Sequence, residues 1–207
     1  MQPPRQSHWD QRYQSSAPQS LTWFQENPVD SLALLARFSD GPGQTLIDIG
    51  TGNSRLPDAL LDQGWQDITL FDISEMALGQ TKTRLGDRHA QATYVQGDIT
   101  AFTPHQRWDI WHDRAVFHFL TDQAEQDAYL AALDLGTTEN ALIILATFAL
   151  SGPEKCSGLP VKRYSAEMLS DRLGSRYQLL DGFCVPHVTP SGNIQDFTFT
   201  AFRKRPA

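Results

Sequence analysis

Asp48-Ile49-Gly50-Thr51-Gly52-Asn53-Ser54 stands between a short β-branched run, Thr45 to Ile49, and a helical pattern from Leu56 to Gln63. Glycines at such a joint let the backbone approach a ligand closely, and the start of the helix offers free N–H groups. A glycine-rich turn alone is a weak signal; the strand before it and the helix after it strengthen it. A dinucleotide site wants a third small residue where Arg55 stands, so the turn argues against NAD.

Outward from this turn, strands and helices alternate. Asp67 to Phe71, Ala92 to Gln96, Trp108 to His112 and Ala141 to Leu150 read as further strands. The last is apolar apart from Thr147, as a central buried strand should be. Ser74 caps a helix running to Leu85, and Ser165 caps one running to Leu173. Asp122-Gln123-Ala124-Glu125 resembles a capping box for a helix to Leu135. Asn27-Pro28-Val29-Asp30 predicts another helix start, with Asn27 as N-cap and Pro28 first in the helix. Tyr177 to Val188 and Ile194 to Phe202 read as two strands joined by the turn Thr189 to Asn193. The alternation predicts an α/β fold, a doubly wound and mostly parallel sheet, closed by an antiparallel C-terminal hairpin.

The 207 residues predict a single domain: an arm over 1–27, a core over 44–150, a loop over 151–164 and the hairpin over 176–204. The 24 acids against 17 bases give a net charge of -7, which argues against nucleic acid as a partner. Two cysteines, Cys156 and Cys184, are too few for a disulfide scaffold and favour a reduced, cytoplasmic setting. Together with His187 they lack metal-ligand spacing, so no metal is expected. The polar start, Met1 to Gln6, carries no signal-peptide pattern. The longest apolar run, Ala141 to Leu150, falls short of the ~20 residues a membrane span needs.

Two further acids complete the pattern. Asp72 ends the second strand, where an acid can accept from ribose hydroxyls. Asp98, in Gln96-Gly97-Asp98-Ile99, ends the third, where it can accept from an exocyclic amine while Ile73 and Ile99 sandwich a flat base. In order and spacing the set resembles the class I, seven-β-strand S-adenosylmethionine-dependent methyltransferases, over residues 44–150. The resemblance implies a Rossmann-like fold of seven strands and S-adenosylmethionine as cofactor, with S-adenosylhomocysteine as product. It implies that Asp48, Gly50, Thr51, Gly52, Asn53 and Ser54 hold the methionine end, Asp72 the ribose, and Asp98 with Ile99 the adenine.

His8-Trp9-Asp10-Gln11-Arg12-Tyr13, followed by Trp23-Phe24, is similar to the arm of methyltransferase-like proteins related to the elongation-factor lysine methyltransferases. That likeness implies Trp9 and Tyr13 as lid residues over the cofactor. After the fourth strand, Asp113-Arg114 stands where those enzymes carry an acidic and basic motif, and His118 replaces an acid. An acceptor that must lose a proton wants a base. His118 is the first candidate, Asp113 (also counted with the cofactor residues) the second, and His187 the third. Arg114, Lys155, Cys156, Tyr164, His187 and Trp23 are the candidates for contact with the acceptor. Lys155, Lys162 and Arg163 suggest a basic mouth suited to a small anion.

The resulting expectation is a methyltransferase acting on a small-molecule acceptor through N, O or S. A protein lysine methyltransferase, a non-catalytic cofactor-binding or scaffold protein, and a nicotinamide-dependent oxidoreductase are the rivals. Oligomeric state is left open.

Overall fold

In the computed structural model, which describes residues 5–206, the apolar runs become one seven-stranded sheet. Its strands are β1 (Leu46–Ile49), β2 (Ile68–Asp72), β3 (Ala92–Gln96), β4 (Trp108–Arg114), β5 (Thr137–Phe148), β8 (Tyr177–Val188) and β9 (Ile194–Lys204). Two very short strands, β6 (Lys155–Cys156) and β7 (Leu159–Pro160), pair separately. The helices are α1 (Arg5–Ser15), α2 (Val29–Phe38), α3 (Leu56–Asp62), α4 (Glu75–Leu85), α5 (Gln123–Leu135) and α6 (Ala166–Leu173).

The strand order is β3-β2-β1-β4-β5-β9-β8. β1 to β5 pair in parallel, while β9 runs antiparallel to both β5 and β8. The chain winds outward from β1 through β2 to β3, then crosses back to β4. The switch point between β1 and β4 opens a crevice at the carboxyl ends of the strands, where ligands bind in such sheets.

β1 and β2 are buried at every residue, because helices cover both faces. Alternate side chains divide between two cores. Leu46 and Ile68 pack with Leu34 of α2 and Leu60 of α3, whereas Ile47 packs with Trp111, Tyr129 and Leu133 on the α5 side. Local capping agrees with the expectations at Ser74, whose side chain accepts from the Ala77 N–H, and at Ser165, which accepts from Met168. Asp122 caps α5 through the Ala124 N–H, but Glu125 of the expected capping box pairs instead with Arg5.

Other expectations are corrected. Pro28, not Asn27, is the residue capping α2, which begins at Val29. The 1–27 arm contains helix α1, because Trp9 and Tyr13, one turn apart, share a face that packs on α4 (Met1 to Pro4 lie outside the described residues). The 151–164 segment is not a plain loop; it folds into the β6-β7 hairpin. Both cysteines are free, Cys156 buried and Cys184 exposed. Among the described residues, no helix is long and apolar enough to cross a membrane. No group of three His, Cys, Asp or Glu among them is arranged to hold a metal ion.

Candidate active site

The parallel register aligns the ends of β1, β2 and β4, which brings the glycine turn, Asp72 and Asp113-Arg114 to one edge. There the chain encloses a cavity of about 100 Å³. Asp72, Ile73, Asp98 and Ile99 line it from the β2-β3 side. Arg114, Phe119, Phe148, Cys156 and Phe197 line it from the β4-β5-β9 side, and Trp9, Tyr13 and Trp23 close it from the arm.

Asp72 organises the first half. Its Oδ2 accepts from the Gly52 N–H at 2.8 Å and its Oδ1 from the Ser74 N–H at 2.8 Å. Burial pushes its carboxyl up to about 6, against the opposing pull of those two N–H groups. Each oxygen keeps a lone pair for a further donor. Asp98 accepts from the Thr100 N–H at 2.9 Å and hydroxyl at 2.8 Å through Oδ1, leaving Oδ2 3.6 Å from Arg5 Nη1.

The glycines are required by position as well as conformation. Gly50 (φ +67°) and Gly52 (φ +51°) are left-handed. A Cβ on Gly50 would lie 2.1 Å from Val116 Cγ2, and one on Gly52 would lie 2.3 Å from Tyr13 Oη. The second clash measures how closely the arm sits on the turn. Asp10 of α1 accepts from the Ser74 hydroxyl at 2.6 Å, and Gln80 of α4 donates to the Tyr13 carbonyl at 3.0 Å. Trp9 meets Phe119 and Trp23 edge-on at 5.1 and 5.9 Å.

A smaller cavity of about 40 Å³ lies between the glycine turn and the chain around Trp23. Asp48, Thr51, Asn53, Ser54 and Arg114 line it. Asp48 Oδ1 lies 2.7 Å from His112 Nδ1, and His112 Nε2 lies 2.9 Å from Ser31 Oγ. Asp48 Oδ2 and Thr51 Oγ1 are buried without a partner. Asn53 donates to Gln80, and Ser54 Oγ accepts from the Leu56 N–H at 3.1 Å, so these two also brace the turn.

Several candidates for chemistry lie elsewhere. Asp113 spends both oxygens internally: Oδ1 on the Val116 N–H at 2.8 Å, Oδ2 on the Phe117 N–H at 3.1 Å and the Tyr129 hydroxyl at 2.7 Å. Burial pushes it up to about 6, yet it does not line either cavity. His118 is buried, with Nδ1 accepting from the Phe148 N–H at 3.2 Å and its ring between Phe119 and Phe148. Burial lowers it to about 3, which leaves it neutral, and the structure puts it beneath the aromatic wall rather than on it. His187 donates to the Thr22 carbonyl at 2.8 Å, fastening the C-terminal hairpin to the arm. Tyr164 packs in the core on Phe117, and Lys155 is exposed outside the cavity. Of the acceptor candidates, Arg114, Cys156 and Trp23 line the larger cavity.

Arg5, Phe119, Phe148 and Phe197 line it too and carry no local signal in the sequence. Ala115 is a fifth, and its φ of 73° is strained for a residue with a Cβ.

Residues 46–135 match the family described as "Methyltransferase domain". The chain is similar to that family over this stretch, which holds β1 to β4 and α3 to α5. The chain is 27% identical over 134 residues to the eEF1A lysine and N-terminal methyltransferase of Xenopus laevis, a match covering 65% of this chain and 18% of that protein. The chain thus spans under a fifth of the curated relatives it matches. A structure reported for "Conversion of a Disulfide Bond into a Thioacetal Group during Echinomycin Biosynthesis" superposes with a TM-score of 0.76 at 20% identity, covering 97% of this chain and 93% of the other. The 1,6-didemethyltoxoflavin-N1-methyltransferase of Burkholderia thailandensis, with 1,6-didemethyltoxoflavin and S-adenosylhomocysteine bound, gives 0.69 at 19% identity, covering 86% and 78%. The chain therefore has the fold of these two structures, the second of which holds S-adenosylhomocysteine, the demethylated form of S-adenosylmethionine.

The residues at the edge fit that cofactor. Asp48 Oδ2 and Thr51 Oγ1, orphaned in the smaller cavity, can meet the ammonium and carboxylate of its methionine end. Asp72 and Asp98 keep acceptor capacity for ribose hydroxyls and the adenine amine, with Ile73 and Ile99 beside them.

Proposed function

We propose that this protein moves a methyl group from S-adenosylmethionine to a small-molecule acceptor. When bound, the cofactor supplies a methyl on a sulfonium, already a good leaving group. The chain's own work is then to bind, align and exclude water. Asp48, Asp72 and Asp98 would hold the cofactor, and the arm would close over it with Trp9, Tyr13 and Trp23.

One observation carries the choice of a small acceptor. The cavity that Asp72 and Asp98 line is walled on its other sides by Trp9, Trp23, Phe119, Phe148 and Phe197, an aromatic lining suited to a small acceptor. The bound 1,6-didemethyltoxoflavin of the Burkholderia thailandensis neighbour supports the same reading.

Protein lysine methylation is the second reading, supported by the arm and by the eEF1A lysine and N-terminal methyltransferase relatives. Asp113 gives it little support, because its carboxylate is occupied by Tyr129 and the turn beyond β4. Methyl-labelled cofactor added with the enzyme to a lysate, then separated into protein and small-molecule fractions, tests the choice. Label in the small-molecule fraction is expected; label confined to protein would overturn it.

A further inference from the structure

Arg114 is the only charged side chain on the β4-β5-β9 side of the larger cavity among the described residues. Its Nη1 donates to the Trp23 carbonyl at 3.0 Å, while Nε and Nη2 are buried with no partner. Its guanidinium stands 4.7 Å over the Phe197 ring. Among the described residues no carboxylate lies within the 4 Å of a salt bridge; Asp30 and Asp48 act on it only from farther away. Burial lowers it to about 10, which still leaves it charged at neutral pH. A buried cation with unspent donors is costly unless an anion completes it.

Beside Arg114 the chamber offers no base, since Asp72 and Asp98 across it are committed to the cofactor in the function proposed above. Asp113 is spent on Tyr129 and two backbone N–H groups, and His118 and His187 lie off the wall. Burial pushes the Cys156 thiol up to about 11, so it too is neutral. An acceptor that reaches this chamber must bring its lone pair already free. An ammonium would meet Arg114 across low-dielectric walls and be repelled.

We infer, building on the function proposed above, that the acceptor is a small anionic nucleophile held by Arg114, with an aromatic thiolate the best-matched form. Aromatic walls accept a sulfur and a ring, and an aromatic thiol, whose ring spreads the thiolate charge, is acidic enough to ionise near neutrality without a protein base. The thiol proton leaves to solvent on binding. The sulfur lone pair then forms the bond to the methyl carbon, and the electrons of the broken carbon–sulfur bond stay on the departing S-adenosylhomocysteine. Opposite charges are consumed and the product is a neutral thioether, which Arg114 has no reason to retain.

Because Arg114 also lines the smaller cavity, the anion could instead be the cofactor's own carboxylate. Calorimetry separates the sources. The protein saturated with S-adenosylhomocysteine is titrated with benzenethiol, benzylamine and benzyl alcohol. Benzenethiol is expected to bind about tenfold or more tightly than the other two, the size of one charge-assisted hydrogen bond. Arg114→Gln should erase that preference and Arg114→Lys should keep part of it, with affinity for S-adenosylhomocysteine unchanged in both. With unlabelled cofactor, thioanisole should form. Equal binding of benzylamine and benzenethiol by the unaltered protein overturns the inference without any variant. So does a loss of S-adenosylhomocysteine affinity in Arg114→Gln with 5′-methylthioadenosine, which lacks the carboxylate, unaffected. If the unaltered protein binds no S-adenosylhomocysteine at all, the proposed function itself falls instead.

Discussion

Asp72 does two jobs that pull on its charge in opposite directions. It ties the glycine turn to α4 through the Gly52 and Ser74 N–H groups, and its burial holds its carboxyl near 6. A ribose hydroxyl donates only to the ionised form with full strength. Affinity for S-adenosylhomocysteine should therefore be greatest above pH 6 and fall as the pH drops through it. Asp72→Asn should weaken binding by about 1–3 kcal/mol and flatten that pH dependence. Calorimetry across the pH range checks both, and a variant with the original affinity and slope would remove Asp72 from the cofactor site. His118 makes the opposite case. Its ring serves the Phe148 N–H, so His118→Ala should cost about 2–4 kcal/mol of stability through an unpaired donor and a cavity. Cofactor affinity should stay unchanged. A stable variant with lost turnover would restore His118 as the base expected from the sequence.

At the scale of elements, the start of the arm is held by partly exposed ion pairs. Arg5 of α1 reaches Asp98 and Glu125, and all three side chains are about one-third exposed. Such ion pairs contribute little and are screened by salt. They still hold α1 against the Asp98 end of the cleft. Arg5→Ala should speed release of S-adenosylhomocysteine by about two- to fivefold, with little change in unfolding temperature. Stopped-flow displacement measures the rate; an unchanged rate would mean that the aromatic contacts of Trp9 alone hold the arm. The helical form of this arm had a sequence signal in the spacing of Trp9 and Tyr13, one turn apart. The β6-β7 hairpin had none, because two-residue strands are too short to show a period.

Over the whole molecule, His112 joins three elements that are remote in the chain. It links Asp48 of β1 to Ser31 of α2 from its own place in β4. His112→Ala would leave Asp48 buried and unpaired, a change that should cost about 3–5 kcal/mol. That is a large share of the ~5–15 kcal/mol by which domains are stable. Denaturant unfolding checks it, and a loss below ~1 kcal/mol would mean that water reaches Asp48. The net charge of -7 is also partly allocated at this scale. Asp48, Asp72 and Asp98 gather at one edge, whereas Asp113 is consumed in holding the turn after β4. The cations beside them are Arg5 and Arg114, not the expected basic mouth of the 151–164 segment, where Lys155 is exposed and Arg163 pairs with Glu154.

The order of β and α units, the glycine turn, Asp72 and Asp98 were legible in the sequence by itself, because each depends on a local period or on spacing within one βα unit. Those signals survive in any arrangement of the rest of the chain, so they determined the fold class and the edge where Asp48, Asp72 and Asp98 gather. Only the tertiary structure decided the other half of the cleft. Arg114, Phe148 and Phe197 come together because β4, β5 and β9 are neighbours in the sheet, and Trp9 and Trp23 join them from the arm. No local spacing records those pairings. The same packing decided that His118 and Asp113, rightly positioned in the chain, turn inward: a backbone N–H and a tyrosine hydroxyl in the core claim them before any acceptor can.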